Sequence, residues 1–342
     1  MAKGCKSIFM VLLLGVSVIV AANMFYENVL AGPKTAEAST QLRKLEFAGA
    51  SIGGMYYACA TAYADVLQKK LGVNVPITVS VTKGSGENIG LIETDRVEAA
   101  TISSSVLYRA WAGQEPFKRQ YRDVRILTRV FANPTVFYAL ADKNLTKISD
   151  LKGKRVGVGA GPKTWDHISR PFLEAHGIDY EKDIKRVYAG FSDLCNQVRD
   201  GLLDASIGNV SGGIALLPAI AALAAEKKLV FLEWDPKAIE TLPVPAPYFN
   251  KQVVSGAVLG RESDYVTLDL GSMQFTVRDD LPEDLVYKMT KLFHENLSDL
   301  AAKVKIFQYP IRNPKFMTLT LGDVKFHPGS IRYWKEAGLW QQ

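Results

Sequence analysis

The sequence of 342 residues has little of the side-chain chemistry that metal and redox sites use. It contains three cysteines and four histidines, and none of them forms a CxxC pair or an HExxH motif. These spacings mark many metal sites. Its formal net charge is +6, but lysine and arginine are scattered, and no basic tract is interleaved with aromatic residues. We therefore predict no catalytic residue, no metal, no cofactor and no nucleic acid partner.

Only one long hydrophobic run is present, close to the N-terminus. Ile8–Ala22 follows two lysines and is shorter than the ~20 residues that cross a bilayer. Small residues that suit signal cleavage follow at Val29–Ala31 and at Ala36–Ala38. The pattern predicts a signal peptide and leader over residues 1–38 and export to the periplasm. The alternative is an uncleaved membrane anchor.

The two cysteines beyond this leader are Cys59 and Cys195. An exported protein could join them in a disulfide. However, Cys59 shares a helical spacing with Tyr56 and Tyr63, which places it on the apolar face of a helix. We expect two free thiols, with Cys59 packed as a small hydrophobic residue.

Strand-like and helical segments alternate from residue 44 onward. Val75–Val81 and Glu98–Ser103 read as strands, and each is followed by a glycine or serine turn that opens a helix. The same order recurs from Lys154, where a turn at Ser211 is predicted to open the last helix of the block. This alternation predicts α/β structure with parallel sheets covered by helices.

Two segments connect these blocks. Val124–Asp142 reads as a strand, a bend at Asn133-Pro134 and a second strand, and Tyr265–Val277 carries the chain back to a long helix predicted over Leu281–Lys303. Two crossings make a double hinge, which favours closure of one lobe on the other. We predict an α/β fold of two lobes joined by two hinge crossings. Lobe one comprises residues 39–133 and 266–342, and lobe two comprises residues 134–265.

Ligands of open α/β sheets bind beyond the carboxyl ends of the strands. There, glycine turns and helix N-termini present backbone N–H groups that favour a small anion. The predicted ligand-binding residues follow five strand ends: Gly53, Gly54, Tyr56, Tyr57, Gly84, Ser85, Asn88, Ser103, Ser104, Ser105, Lys163, Thr164, Trp165, Asp166, Asn209 and Ser211.

Several of these residues leave alternatives open. Gly157–Thr164 nearly spells a P-loop, but Pro162 stands where the motif has glycine and offers no N–H to a phosphate. Lys163 is either a charge at the cleft or a solvated surface residue. Trp165 either walls the ligand or packs between lobes, and Asp166 either caps its helix or contacts the ligand.

The order of motifs resembles the TAXI-type solute receptors of TRAP transporters from about residue 44 to the C-terminus. The matching segments are Gly53–Tyr57, Gly84–Asn88, Ser149–Ala160, Asp280–Leu297 and Phe326–Trp340. The resemblance implies the two-lobe fold of type II periplasmic binding proteins, the Venus flytrap, and a periplasmic receptor, not an enzyme. It would close on a small organic anion or amino acid and deliver it to TRAP-type membrane permease subunits driven by an ion gradient.

The resemblance also implies ligand contacts from Gly54, Tyr56 or Tyr57, Ser85, Asn88 and Ser104. The sequence departs from the family at the pocket, where Ser103-Ser104-Ser105 replaces a Gln-Ser-Asp pattern and Lys163 enters the second turn. The loss of a carboxylate and the gain of a lysine favour a di- or oxo-carboxylate over an amino acid. The rival interpretations are a receptor for an ATP-driven importer, an enzyme on the same fold and a membrane-tethered sensor domain.

Overall fold

The computed structural model describes residues 44–50, 52, 54–162, 165–242 and 246–341. The predicted signal peptide and leader lie outside the described residues. The strands are β1 (Leu45–Ala48), β2 (Ile77–Ser80), β3 (Ala99–Ser103), β4 (Val124–Phe131), β5 (Thr135–Leu140), β6 (Arg155–Gly157), β7 (Lys185–Val187), β8 (Ala205–Ser211), β9 (Ala215–Leu216), β10 (Leu229–Phe231), β11 (Lys251–Val254), β12 (Tyr265–Leu268) and β13 (Met273–Arg278).

Helices cover both sheets. They are α1 (Met55–Lys70), α2 (Ser85–Glu93), α3 (Ser104–Ala112), α4 (Asp166–Glu174), α5 (Phe191–Arg199), α6 (Pro218–Glu226), α7 (Pro236–Thr241), α8 (Gly256–Leu259), α9 (Glu283–Glu295), α10 (Leu297–Lys303), α11 (Gln308–Arg312) and α12 (Pro328–Glu336).

The first sheet has the strand order β2-β1-β3-β13-β4. Strand β1 runs parallel to β2 and β3, whereas β13 returns from late in the chain and pairs antiparallel with β3 and β4. Its core is aromatic, since the Tyr63 ring lies 5.7 Å from Phe47, 4.8 Å from Phe275 and 5.4 Å from Phe293. These rings fix α1 and α9 against one face of the sheet.

The second sheet has the order β10-β5-β8-β6-β7, with β9 paired to β8. Strands β6, β7 and β8 are parallel, and β5 and β10 are antiparallel to their neighbours. Phe172 of α4 packs its ring 4.9 Å from Trp234 and 4.6 Å from Phe249. The predicted α/β fold class is confirmed, with mixed sheets in place of purely parallel ones.

Two chain segments cross at the first sheet and contact each other: residues 132–134 lead from β4 to β5 of the second sheet, and residues 269–272 lead from β12 to β13. Strand β12 pairs antiparallel with β11 in a separate two-stranded sheet. The Asn133 backbone N–H donates to Asp269 Oδ1 at 2.9 Å, and the Leu270 N–H donates to the Asn133 carbonyl at 3.1 Å. The bend at Asn133-Pro134 and the return after β12 therefore lie side by side. The residue bounds of the two lobes stay predictions.

The prediction that the turn at Ser211 opens a helix is wrong. Strand β8 continues through Val210 and Ser211, which pair antiparallel with β9, and the next helix begins at Pro218. The turn contains Gly212 at φ +57° and Gly213 at φ +66°. Consecutive residues at positive φ suit a hairpin turn, and glycine adopts that conformation at least cost.

The long helix predicted over Leu281–Lys303 is also divided in two. Helix α9 ends at Glu295, and α10 begins after Asn296, whose backbone lies at φ −110°. The Asn296 side-chain amide donates to the Leu292 carbonyl at 2.8 Å and accepts from Lys70 Nζ. An asparagine side chain that bonds the backbone in this way competes with the helical hydrogen bonds.

The two cysteines of the described chain, Cys59 and Cys195, are free and buried. This confirms the expectation of free thiols. Burial raises the pKa of both thiols, and for Cys195 a hydrogen bond with the Tyr138 hydroxyl acts in the opposite direction. Within the described residues, no helix is both long and apolar enough to cross a membrane.

Candidate ligand-binding cavity

A cavity of about 470 Å³ lies where residues from both sheets meet. This volume suits an organic ligand of small to moderate size. Its walls come from strand ends and helix starts, as the sequence predicts for an open α/β sheet. The lining residues are Ala50, Met55, Tyr56, Lys83, Gly84, Ser85, Gly86, Ser103, Ser105, Val106, Arg109, Pro116, Phe117, Phe131, Asn133, Trp165, His167, Ile168, Phe191, Asn209, Ser211, Leu217 and Leu270.

Six helices begin at this cavity. Lining residues stand at or within two positions of the starts of α1, α2, α3, α4, α5 and α6. Among the described residues, none of these six starts has a side-chain hydrogen bond from its capping residue. The first turns of helices carry N–H groups without helical partners and a partial positive charge. The cavity wall therefore favours negative charge.

Serine hydroxyls from two strand ends of the first sheet lie together. Ser85 Oγ accepts the Ser103 N–H at 3.0 Å, and Ser103 Oγ lies 3.0 Å from Ser105 Oγ. The chain returning to the first sheet passes beside them at Gly271. A Cβ at this position would lie 2.5 Å from both the Ser103 and the Ser105 hydroxyl oxygens. Only glycine allows that approach.

Amide side chains link the first sheet to the second beside the cavity. Asn209 Nδ2 donates to Asn133 Oδ1 at 3.1 Å, and Asn133 Nδ2 donates to the Gly271 carbonyl at 2.8 Å. Tyr56 bonds the Ser103 side chain, and its hydroxyl lies 3.5 Å from Asn133 Nδ2. Burial, followed by the nearby Asp269 charge, raises the pKa of the Tyr56 hydroxyl, which therefore stays protonated.

The charged side chains in the described lining are cationic. Lys83 and Arg109 line the cavity, and the lining residues that the structure describes include neither aspartate nor glutamate. Lys83 is exposed, whereas Arg109 is half-buried. Arg109 Nε donates to the Glu115 carbonyl at 2.6 Å and so also holds the loop that presents Pro116 and Phe117.

Aromatic rings form the wall on the side of the second sheet. The Trp165 ring lies 5.2 Å from the Phe191 ring in an edge-to-face arrangement. Gly159, at φ +110°, permits this position of Trp165, because a Cβ there would lie 2.2 Å from the indole ring. On the other side, the Tyr56 ring packs 6.1 Å from Phe131.

The cavity brings together eight of the predicted site residues: Tyr56, Gly84, Ser85, Ser103, Ser105, Trp165, Asn209 and Ser211. Gly53, Lys163 and Thr164 lie outside the described residues. Gly54 caps α1 without lining the cavity, and Tyr57 points elsewhere, with its ring against Gly49. Of the two adjacent tyrosines, Tyr56 therefore reaches the cavity.

Asn88 and Ser104 are buried structural residues. Asn88 Nδ2 donates to the carbonyls of Gly49 and Thr101, at 2.8 Å each, and its Oδ1 accepts from the Thr82 hydroxyl. Ser104 Oγ accepts the Ser272 N–H at 2.9 Å. Their polar atoms hold the strand ends and the return crossing, and neither residue lines the cavity. That they contact the ligand stays a prediction.

Asp166 stands at the start of α4 but does not line the main cavity. It accepts hydrogen bonds from the Tyr180 hydroxyl at 2.8 Å and from the Tyr188 hydroxyl at 2.6 Å. It lines a neighbouring cavity of about 450 Å³ that shares Arg109 and His167 with the main one. A carboxylate engaged by two tyrosines is poorly placed to bind a ligand's ammonium group.

Sequence reasoning missed several lining residues. Arg109 lies four residues after Ser105 on α3, and that spacing would have placed it on the same helix face. Lys83 directly precedes the predicted glycine turn, and Asn133 stands at the predicted bend. Phe117 follows an irregular loop, and the sequence could not place it at the cavity because no periodic hydrophobic pattern includes it.

A buried charge lies beside the cavity, where the two crossings meet. Asp269 is fully buried, and its Oδ1 accepts the N–H groups of Asn133 and Gly271 at 2.9 Å each. Burial raises its pKa to about 6, although these bonds and Arg129 act in the opposite direction. Arg129 is also fully buried and donates to Ser272 Oγ at 3.1 Å.

The turn between β1 and α1 has the spacing Gly-x-Ser-x-Gly at Gly49–Gly53, which carries the nucleophile of α/β-hydrolases. Ser51 and Gly53 lie outside the described residues. Such a serine needs a histidine as base. His167 lines the cavity. A test of function therefore has to include hydrolysis.

The described residues contain no group of three or more histidine, cysteine, aspartate or glutamate side chains placed to hold a metal ion. The hydroxyls, amides and helix N-termini of the cavity suit direct hydrogen bonding of an anion instead.

Solved structures share this architecture. XAC2383 from Xanthomonas citri bound to chloride ion is 12% identical, with a TM-score of 0.53 over 87% of this chain and 98% of that chain. The same protein bound to ATP is 11% identical, with a TM-score of 0.51 over 87% and 97%. The periplasmic aliphatic sulphonate binding protein SsuA from Escherichia coli is 12% identical, with a TM-score of 0.46 over 81% and 84%.

The chain therefore has the two-lobe α/β fold of periplasmic solute-binding proteins. The NMT1-like family matches residues 47–338, and the chain belongs to that family.

Proposed function

We propose that the protein is a periplasmic receptor that binds a small organic anion between its two lobes and delivers it to a membrane permease. The observation that carries this proposal is the cavity between the two sheets. Six helices begin there, and the described lining includes Lys83 and Arg109 but no carboxylate. Such a wall stabilises a carboxylate through N–H donors, hydroxyls and positive charge.

Organic acids without an amino group fit this cavity better than amino acids. An α-ammonium group needs a carboxylate or several acceptors, and Asp166 is engaged by two tyrosine hydroxyls. This agrees with the departures of the sequence from the TAXI pattern, which favour a di- or oxo-carboxylate. The receptor binds its ligand unchanged and has no catalytic role in this proposal.

The permease is of the TRAP type, driven by an ion gradient. This part of the proposal rests on the motifs that resemble TAXI-type receptors. Two of them, the turns at Gly84-Ser85 and at Tyr56, line the cavity. Binding of one ligand by groups from both sheets would stabilise the closed form that the permease recognises.

Native protein purified without refolding and analysed by mass spectrometry tests the ligand. We expect one organic acid at up to one equivalent, released by denaturation and unchanged after incubation. A co-purified amino acid would contradict the organic-acid assignment. Turnover of the acid or of a generic ester would contradict a receptor role, particularly if Ser51→Ala abolished it.

Transport by the receptor with its cognate permease in proteoliposomes tests the partner. We expect uptake that requires the receptor and an imposed sodium or proton gradient and that is indifferent to ATP. Uptake that needs ATP hydrolysis instead would assign the receptor to an ATP-driven importer.

A further inference from the structure

The two sides of the cavity differ in chemistry. The first sheet contributes hydroxyls and a cation, from Ser85, Ser103, Ser105 and Arg109. The helix starts beside the second sheet contribute the apolar side chains of Trp165, Phe191, Ile168 and Leu217 next to His167, whereas strand β8 of that sheet contributes Asn209 and Ser211. A ligand that contacts both sides is therefore polar at one end and apolar at the other.

Contacts within the protein hold the apolar wall in place. Trp165 rests on Gly159, where a Cβ would lie 2.2 Å from the indole ring, and its ring meets Phe191 at 5.2 Å. Rigid aromatic side chains offer large contact area with little loss of conformational freedom on binding. The wall is therefore suited to enclose the body of a ligand.

Among the described residues of this wall, no lysine or arginine offers a second carboxylate a partner comparable to Arg109. Of the two described cations, Arg109 is half-buried beside Ser105 on α3, while Lys83 is exposed and its charge is screened by water. A carboxylate placed against the faces of the Trp165 and Phe191 rings would lose hydration, because aromatic carbon offers it no hydrogen bond. Branched or aromatic carbon would instead be stabilised there by removal from water.

We propose that the ligand is a monocarboxylate with a branched or aromatic apolar body, with or without a 2-oxo group. This inference rests on the proposed function and narrows its ligand class. The carboxylate binds the hydroxyls and the starts of α2 and α3, with Arg109 as the counter-charge. The apolar body lies against Trp165 and Phe191.

Calorimetric titration with a matched set of probes tests the inference. The protein is first unfolded to release any bound ligand and then refolded. The set is 4-methylpentanoate, 4-methyl-2-oxopentanoate, leucine, glutarate and 2-oxoglutarate. The first three share one carbon skeleton, and the last two carry a carboxymethyl group in place of its branched isopropyl end. We expect 4-methylpentanoate or its 2-oxo derivative to bind at least tenfold more tightly than the other three.

Variants of the apolar wall give a second, independent readout. Trp165→Ala should weaken binding of the branched acid about tenfold or more, while Trp165→Phe should keep most of it. Phe191→Ala, which leaves the indole in place, should also weaken it. Melting temperatures and far-ultraviolet circular dichroism identify any variant that fails to fold.

The outcomes separate this inference from the proposed function. Tightest binding of glutarate or 2-oxoglutarate would overturn the apolar-body inference and leave the organic-anion receptor intact. Tightest binding of leucine would overturn the inference and the preference for acids without an amino group. Binding of none of the five probes would overturn the inference, whereas a failure to recover any organic anion from native protein would overturn the proposed function.

Discussion

Arg109 is the residue whose charge and position matter most for the proposed anion site. Arg109→Gln keeps a polar side chain but removes the charge, so we expect the affinity for the organic acid to fall about 10- to 100-fold. Arg109→Lys restores a charge but not the Nε hydrogen bond to the Glu115 carbonyl. It should recover part of the affinity. Isothermal titration calorimetry measures both.

The matched control is Arg312→Gln, which removes an exposed arginine that does not line the cavity. Its affinity should equal that of the wild type. Equal loss in the Arg109 and Arg312 variants would mean that net charge, and not the site, attracts the ligand.

Asp269 makes the stability of the protein depend on pH. Burial raises its pKa in the folded protein from 3.8 to about 6, so the folded state takes up a proton more readily than the unfolded state. The stability that this proton contributes is fully present below pH 4 and is lost as the pH rises through about 6. The whole effect is of the order of 3 kcal/mol.

Asp269→Asn should remove this pH dependence. Its Oδ1 can still accept the N–H groups of Asn133 and Gly271, so the crossings keep these bonds. Urea unfolding at several pH values between 4 and 7.5 measures the free energy of unfolding of both proteins. The wild type should gain stability relative to the variant as the pH falls through this range. A constant difference would show that Asp269 does not titrate there.

At the scale of elements, the strand-to-helix turn at Gly159 positions the aromatic wall. Gly159→Ala adds a Cβ at φ +110° that would overlap the Trp165 ring, so the indole must move and the ligand should bind at least tenfold more weakly. The variant should also lose about 1 kcal/mol of folding free energy from backbone strain.

Gly153→Ala is the matched control for this prediction. Gly153 also has positive φ, at +80°, but a Cβ there meets nothing within 4 Å. It should lose similar stability in urea unfolding and keep full affinity in calorimetry. Weaker binding in both variants would attribute the effect of Gly159 to backbone strain alone.

The sequence predicts elements well where hydrophobic periodicity decides them, and less well where a side chain or a turn decides. Strands β4 and β5 and the bend at Asn133-Pro134 follow from the pattern. The hairpin after Ser211 does not, because two glycines suit a helix start and a hairpin turn alike. The helix break at Asn296 depends on a side-chain bond to Leu292 that no periodicity records.

For the candidate site, too, the sequence pattern predicts the location but not the role of each side chain. Strand ends with glycine or serine predict where the cavity lies, since parallel strands present their carboxyl ends together. The role of each side chain depends on neighbours distant in sequence. Ser104, for example, bonds the Ser272 N–H, whereas Ser103 and Ser105 on either side of it face the ligand cavity.

For the whole molecule, ligand binding should close the two lobes. Groups from both sheets line one cavity, so a ligand that bonds both favours the form in which they are nearest. Small-angle X-ray scattering should show a smaller radius of gyration at saturating ligand. Arg109→Gln at the same ligand concentration should keep the larger radius, and an unchanged radius in saturated wild type would contradict closure.

The Ser103 and Ser105 hydroxyls, which line the cavity, lie against Gly271 in the backbone segment 269–272 that returns to the first sheet. A rotation about this crossing displaces the same hydroxyls that would hold the ligand's carboxylate. Ligand binding and rotation about this crossing should therefore be coupled. The amide nuclear magnetic resonance signal of Gly271 should then report how much of the protein is occupied, without any label on the ligand.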